Sequence, residues 1–187
     1  MKKVITAYHG SEEFIRNLLS GEKLKRKSFD PLALPGDLGT GTYFFIDNPM
    51  LAYDFVDKFE RGRRINVIEC VIEVEEDEIL DFNQDEASDM FFQLREQAIE
   101  HAKKKFPNLK GNRDSIDGII IDLLVKSILE MDKKVIKMVV KDTYTPTLNY
   151  SYMKGKRHFF GSNFANGTEL CLRDVNLVKK GVHFNGI

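Results

Sequence analysis

The chain has no tryptophan, only two cysteines and only five prolines in 187 residues. Cys70 and Cys171 each sit in an apolar, β-like run without metal-type spacing. Both read as buried free thiols, which fit a reducing cytoplasm better than a disulfide framework. In that compartment the sequons at Asn149 and Asn166 carry little meaning. No run approaches the roughly 18 apolar residues of a membrane-spanning helix. The opening MKKVITAYHGSEEF also lacks the apolar region of a secretory leader, so the expectation is a cytoplasmic protein with no membrane partner. Charge of one sign is missing too. The net charge is -1, so nucleic acid or membrane would have to be met by a local patch. Repeats and low-complexity tracts are absent. What is present, 42% hydrophobic and 30% charged residues, suits one domain spanning 1–187 that buries a core without staples.

Several catalytic signatures are absent as well. There is no HExxH, EF-hand loop, zinc pattern or G-x-S-x-G elbow, and no metal is expected. Gly36-Asp37-Leu38-Gly39-Thr40-Gly41 has the spacing G-x-x-G-x-G, the reverse of the dinucleotide fingerprint, and no Lys-Ser/Thr follows it. It reads as a flexible turn before a strand. His101 and His158 stand alone as solvated histidines, and Glu75 to Glu78 reads as a solvated strand end.

Periodicity gives the elements. Residues 4–8 read as a strand ending at His9-Gly10. Ser11 is a candidate cap for a helix that carries Glu12 and Glu13 in its first turn and stops near Gly21. Residues 22–41 read as a loop with a basic cluster, and 43–46 as a strand. Asn48-Pro49 is a helix start, since Asn caps and proline at the first helical position sacrifices no needed hydrogen bond. Residues 65–74 alternate, with Ile68, Cys70, Ile72 and Val74 on one face and Glu69 and Glu73 on the other. Helices are expected over about 85–106 and 114–131, a strand over 135–140, an irregular polar and aromatic stretch over 144–168, and closing strands at 169–173 and 182–184. Strands at both ends with helices inserted between them argue for an α+β fold.

Three pieces remain for chemistry. They are 8-YHGS-11 at a strand-to-helix junction, 40-TGTYFFIDNPMLAYDFV-56 with Tyr43 and Tyr53, and 168-TELCLRD-174 with Glu169 at the head of an apolar strand. Singly, each has an ordinary structural reading: His9 as a cap, the tyrosines as core, Glu169 paired with a surface lysine. Together they resemble the ADP-ribosyltransferase superfamily, in its His-Tyr-Glu branch of diphtheria-toxin-like and poly(ADP-ribose) polymerase-like enzymes. His9-Gly10-Ser11 is similar to the branch's "His-Gly-Ser/Thr", Gly41-Thr42-Tyr43-Phe44 to its "Gly-x-Tyr-Phe", Ala52-Tyr53 to its "Ala-x-Tyr"-like helix, and Glu169 to its late-strand glutamate. The order spans nearly the whole chain. The tail also resembles small bacterial proteins of toxin and phage-defence loci.

The resemblance implies a fold of two small antiparallel-type sheets forming an NAD cleft, with helices inserted. It implies that Gly10's backbone, helped by Ser11, holds the nicotinamide carboxamide, and that His9 bonds the adenosine-side ribose. Tyr43 and Tyr53 would sandwich the nicotinamide, and Glu169 would hold the ribose 2′-hydroxyl and stabilise an oxocarbenium-like transition state. The catalytic set is then Glu169, Tyr43 and His9, with NAD as co-substrate and no metal. Gly167 stands where arginine-modifying relatives carry a second Glu or Gln, so arginine modification is not expected. Ala52-Tyr53 sits one residue closer to Tyr43 than in the polymerase pattern. A single transfer of ADP-ribose to a macromolecule is expected, in a toxin or defence effector that would require a neutralising antitoxin. The segment before the glutamate interleaves Tyr152, Phe159 and Phe160 with Lys154, Lys156 and Arg157. That mixture suits single-stranded nucleic acid, because cations meet phosphates and rings stack on bases. A protein acceptor, or aromatics folded back into the core, stay open. So do an NAD glycohydrolase and a non-catalytic module that reads ADP-ribose or RNA.

Overall fold

The computed structural model describes residues 1–13, 15–20, 24, 35–57, 64–105, 116–145 and 164–186. Among these the chain forms β1 (Lys2–Ser11), α1 (Ile15–Leu19), β2 (Thr42–Ile46), α2 (Pro49–Asp57), β3 (Asn66–Glu75), β4 (Ile79–Asp81), α3 (Asp85–Lys105), α4 (Asp117–Asp132), β5 (Met138–Thr143), β6 (Gly167–Leu172) and β7 (Val178–His183). The strands make one seven-stranded sheet in the order β4-β5-β6-β2-β1-β3-β7, so the fold is a mixed α/β arrangement with four described helices.

Alternation accounts for the centre of the sheet. Ile68, Cys70, Ile72 and Val74 are buried and Glu69 and Glu73 are not, as their spacing predicts. Asn48 caps α2, accepting the Leu51 N–H at 3.1 Å, and Pro49 is the first helical residue. Two expectations change at the first strand. β1 runs through Ser11, because β3 supplies ladder partners for His9 (Ile68), Gly10 (Val67) and Ser11 (Asn66). Ser11 therefore caps no helix; its Oγ accepts the Glu13 N–H at 3.1 Å, and α1 begins only at Ile15.

The expectation of two small antiparallel-type sheets is also corrected. β2 hydrogen-bonds to β1 on one side and β6 on the other, which joins the two halves into one sheet. β4 and β5 run parallel, because α3 and α4 intervene and return the chain to the same end. The join is narrow, however: β1 and β2 share only the register pairs Ala7↔Ile46 and Tyr8↔Phe45.

Side chains on successive strand residues point to opposite faces. One face carries Ile5, Ala7, Phe44, Ile68, Cys70, Ile72, Met138, Val140, Leu170 and Leu172, packed with Leu18 of α1 and Leu24. On the other face, α4 (Ile121, Leu124, Ile128) and α3 pack on Val139 and Cys171, and α2 packs on Phe45 and Val67. Each fully buried aliphatic side chain contributes about 1.5–3 kcal/mol. The sheet is thus a stable platform for groups on its α2 and α4 face.

Candidate active site

Beyond Tyr8 and Phe45 the two central strands part. β1 continues along β3, and β2 continues along β6 through Tyr43↔Cys171 and Thr42↔Leu172. In an antiparallel ladder, alternate residues direct both peptide groups to the same neighbour. The Thr6 carbonyl accepts from the Asp47 N–H, at 3.3 Å, so Thr6 faces β2. Tyr8 and Gly10 therefore face the same way, and the N–H and C=O of Gly10 point to the side where β2 has diverged. The opposite rim of the opening is the Tyr43 carbonyl, which lies 2.8 Å from His9 Nδ1. A carbonyl only accepts, so this contact puts a proton on Nδ1 and fixes the imidazole orientation. The His9 ring also packs against Phe44, with centroids 5.4 Å apart.

The alternation sorts the candidate residues by face. Tyr43, Phe45 and Glu169 share the α2 and α4 face with Gly10, whereas the side chains of His9 and Ser11 leave from the other. Glu169 lies directly across from Phe45 and Tyr43 directly across from Cys171, which makes Glu169 and Tyr43 diagonal neighbours on one face. Such pairs stand roughly 7–8 Å apart, within reach of long side chains.

Glu169 is 8% exposed, and its Oε1 accepts from Thr145 Oγ1 at 3.1 Å. Thr145 is itself held by Asn166, which accepts the Thr145 N–H at 2.8 Å and donates to its carbonyl at 2.7 Å. This reciprocal clamp ties the exit of β5 to the entry of β6 and fixes the hydroxyl that meets the carboxylate. A buried carboxylate on a polar tether is a costly arrangement for a purely structural position, which makes Glu169 the candidate centre.

Tyr43 lies against the Leu38, Ile121 and Leu124 cluster. Its hydroxyl accepts the Leu38 N–H at 3.0 Å and donates to the Gly39 carbonyl at 2.7 Å. Burial pushes its phenol well above the ordinary value of 10.0, so the hydroxyl stays neutral and acts as a fixed hydrogen-bonding group, not a base. The turn that receives it is pinned. Gly39 takes φ 87°, and its N–H donates to the Gly36 carbonyl at 2.9 Å. Asp122 of α4 accepts the Thr40 N–H at 3.0 Å and pairs with Arg173 at 2.7 Å. The glycine-rich stretch expected to be flexible is thus a stapled turn.

Tyr53 belongs to a different cluster, with Tyr8, Phe45, Leu51, Ala52, Val67 and Phe184. It lines a cavity of about 220 Å³ at the end of β3 and β7, together with Arg64, Asn66, His183, Phe184 and Asn185. Tyr43 and Tyr53 accordingly pack into separate clusters. Tyr53 belongs to α2, whose Ala52 carbonyl rests on Gly10; a Cβ at residue 10 would collide with it. The acceptor-segment residues Tyr152, Lys154, Lys156, Arg157, Phe159 and Phe160 lie outside the described residues.

The sequence reading missed Thr145, Asn166, Asp122 and the bond from Tyr8 to Glu69 Oε2 at 3.0 Å. Asp122 left a signal, an acid inside the apolar run 119-IIIDLL-124, which requires a partner when it is partly buried. The Tyr8–Glu69 pair follows from strand register alone; burial, then that bond, raises the Tyr8 phenol above its ordinary value. Among the described residues no group of three or more His, Cys, Asp and Glu side chains could hold a metal ion, and no helix is long and apolar enough to cross a membrane. No family model, curated protein or solved structure matches the chain.

Proposed function

We propose that the chain is an NAD-dependent mono-ADP-ribosyltransferase, acting as a toxin or defence effector on a macromolecule. The observation that carries this reading is the buried, tethered Glu169 on the same face as Tyr43, beside an opening toward which the Gly10 peptide groups point. Gly10 N–H and C=O suit a primary carboxamide, which needs one donor and one acceptor side by side. With its hydroxyl occupied by the 36–39 turn, Tyr43 offers a ring to a flat nicotinamide, and Tyr53, on the helix that rests on Gly10, is assigned the second wall. His9 and Ser11, whose side chains leave from the other face of the sheet, are assigned by the resemblance alone, His9 to the adenosine-side ribose and Ser11 to the outer edge of the carboxamide subsite.

In the reaction the C1′–N bond to nicotinamide breaks, and its electron pair leaves with the ring. Positive charge develops on the ribose, where the Glu169 carboxylate stabilises it and holds the 2′-hydroxyl. Fixed electrostatics of this kind are worth several kcal/mol in a site that excludes water. The acceptor's nucleophilic atom then forms the new bond to C1′ and loses a proton to solvent. A nucleic-acid acceptor is favoured by the basic and aromatic sequence of residues 149–167.

The test is incubation with radiolabelled NAD and separated RNA, DNA and protein fractions. Release of nicotinamide with label in one fraction, abolished in Glu169→Gln, is the expected result. Free ADP-ribose without labelled polymer would make the chain a glycohydrolase. Absence of both turnover and NAD binding would overturn the reading and leave a binding module. A partner antitoxin is part of the proposal, and growth arrest on expressing wild type but not Glu169→Gln is its cellular counterpart.

A further inference from the structure

A glutamate turns about three side-chain bonds, so burial alone leaves the plane of the Glu169 carboxylate unset. A defined donor meets it: Oε1 accepts from the Thr145 hydroxyl at 3.1 Å, and Thr145 is itself only 2% exposed. An ionised carboxylate can only accept, so the proton in this contact belongs to threonine. We propose that Thr145 is a positioning residue, which holds the Glu169 carboxylate in the orientation that meets the nicotinamide ribose, and that Asn166 acts through it. The proposal rests on the NAD reading.

Thr145 is a fixed donor because its backbone is held on both sides by one side chain. The Asn166 amide accepts the Thr145 N–H at 2.8 Å and donates to its carbonyl at 2.7 Å. Asn166 is placed in turn by its own N–H, donated to the Thr143 carbonyl at 2.9 Å. Threonine adds stiffness, since branching at Cβ restricts χ1. A continuous series of bonds therefore runs from the β5–β6 ladder through Asn166 and Thr145 to the carboxylate. Groups that act on a substrate need their rotamers locked in this way, by neighbours that are themselves held.

The same strand end supplies a contrast. Thr143 lies across the ladder from Gly167, two residues before Thr145, and its buried Oγ1 has no hydrogen-bond partner among the described residues. The two threonines thus share residue type and neighbourhood and differ in what the hydroxyl holds. Exchanging the Thr143 hydroxyl for a methyl group breaks no bond and removes an unsatisfied polar atom, whereas the same exchange at Thr145 releases Glu169.

The test follows nicotinamide release from NAD, a step common to transfer and hydrolysis, in variants of the full chain. Thr145→Val keeps the branched shape and removes the donor. It should lower kcat about 10- to 100-fold, the range for a hydrogen bond to a charged group, with KM for NAD within about twofold of wild type. Thr145→Ser restores the hydroxyl and should recover most of the rate, and Thr143→Val should match wild type. Asn166→Ala should fall in between, and in a Thr145→Val background it should cause no further loss. Far-ultraviolet circular dichroism checks that each variant is folded under assay conditions. Should Thr145→Val not fold, Thr145→Cys takes its place, because a thiol is a weak donor. A Thr145→Val protein with wild-type kcat, a loss confined to KM, or an equal loss in Thr143→Val would overturn the proposal and leave the transfer reading standing. A wild-type chain that neither binds nor turns over NAD would overturn both.

Discussion

Gly10 is assigned a ligand-binding role, but its side of the sheet also supports a helix, and the packing role can be tested separately. Among the described glycines only Gly39 has a left-handed φ, so residue 10 needs glycine for space and not for backbone conformation. A Cβ added there would overlap the Ala52 carbonyl and come within 2.9 Å of Val56 Cγ2. The first obstacle is helix backbone and cannot rotate away, so α2 would have to lift from β1. Overpacking of this kind costs about 1–3 kcal/mol, and a backbone obstacle argues for the upper half of that range. With a urea m-value of about 2–3 kcal/mol/M, Gly10→Ala should lower the unfolding midpoint by about 1 M, followed by far-ultraviolet circular dichroism. Gly181→Ala is the matched control. Its added Cβ would meet Cys70 Sγ and Leu19 Cδ2 at an ordinary 3.8 Å, so reduced freedom of the unfolded chain should leave stability unchanged or raise it by about 0.5 kcal/mol. Equal midpoints for Gly10→Ala and wild type, or equal losses for the two variants, would refute the packing argument.

Tyr43→Phe removes a hydroxyl that both accepts from Leu38 and donates to Gly39. The expected loss is about 1–3 kcal/mol in thermal or urea unfolding, with faster amide exchange at residues 38 and 39. Asp122→Asn should cost about 2–3 kcal/mol, below the range for fully buried pairs because Asp122 and Arg173 keep some solvent contact, and Arg173→Leu on top of it should recover part of that loss. Burial, followed by the nearby Glu69 charge, lifts the Cys70 thiol from an ordinary 9.0 to about 12. The folded state then holds a proton that the unfolded chain releases first, so this stabilisation is complete below pH 9 and declines by about 1.4 kcal/mol per pH unit up to about 12. Cys70→Val should flatten the urea midpoint between pH 9 and 10.5 relative to wild type; parallel curves would show that Cys70 is not the group responsible.

Where a property depends on residues close in sequence, it was legible beforehand. The alternation of 68–74 gave the buried face of β3, because period-two hydrophobicity is a local consequence of the pleat. Asn48-Pro49 marked the start of α2 for the same local reason, an amide oxygen within reach of a helical N–H. β1 was underestimated, since the partners that extend it to Ser11 lie on β3, more than fifty residues away. Ser11 was misread with it, the capping pattern being one of several local bonds open to a serine. Thr145 and Asn166 left no local mark, as each is an ordinary polar residue until two strands bring them together.

The sequence by itself determined most of the element types, though not the short β4, together with the buried alternation and the set of residues that resemble an NAD site. Only the tertiary structure decided how those residues stand to one another. It joined the two halves of the sheet through two register pairs and turned the Gly10 peptide groups to the open side. It put Glu169 and Tyr43 on one face, and it packed Tyr53 into a separate cluster beside a cavity at the end of β3 and β7. The physical reason is strand register. A shift of one residue exchanges the faces of a whole strand, and register is fixed by pairing between distant segments.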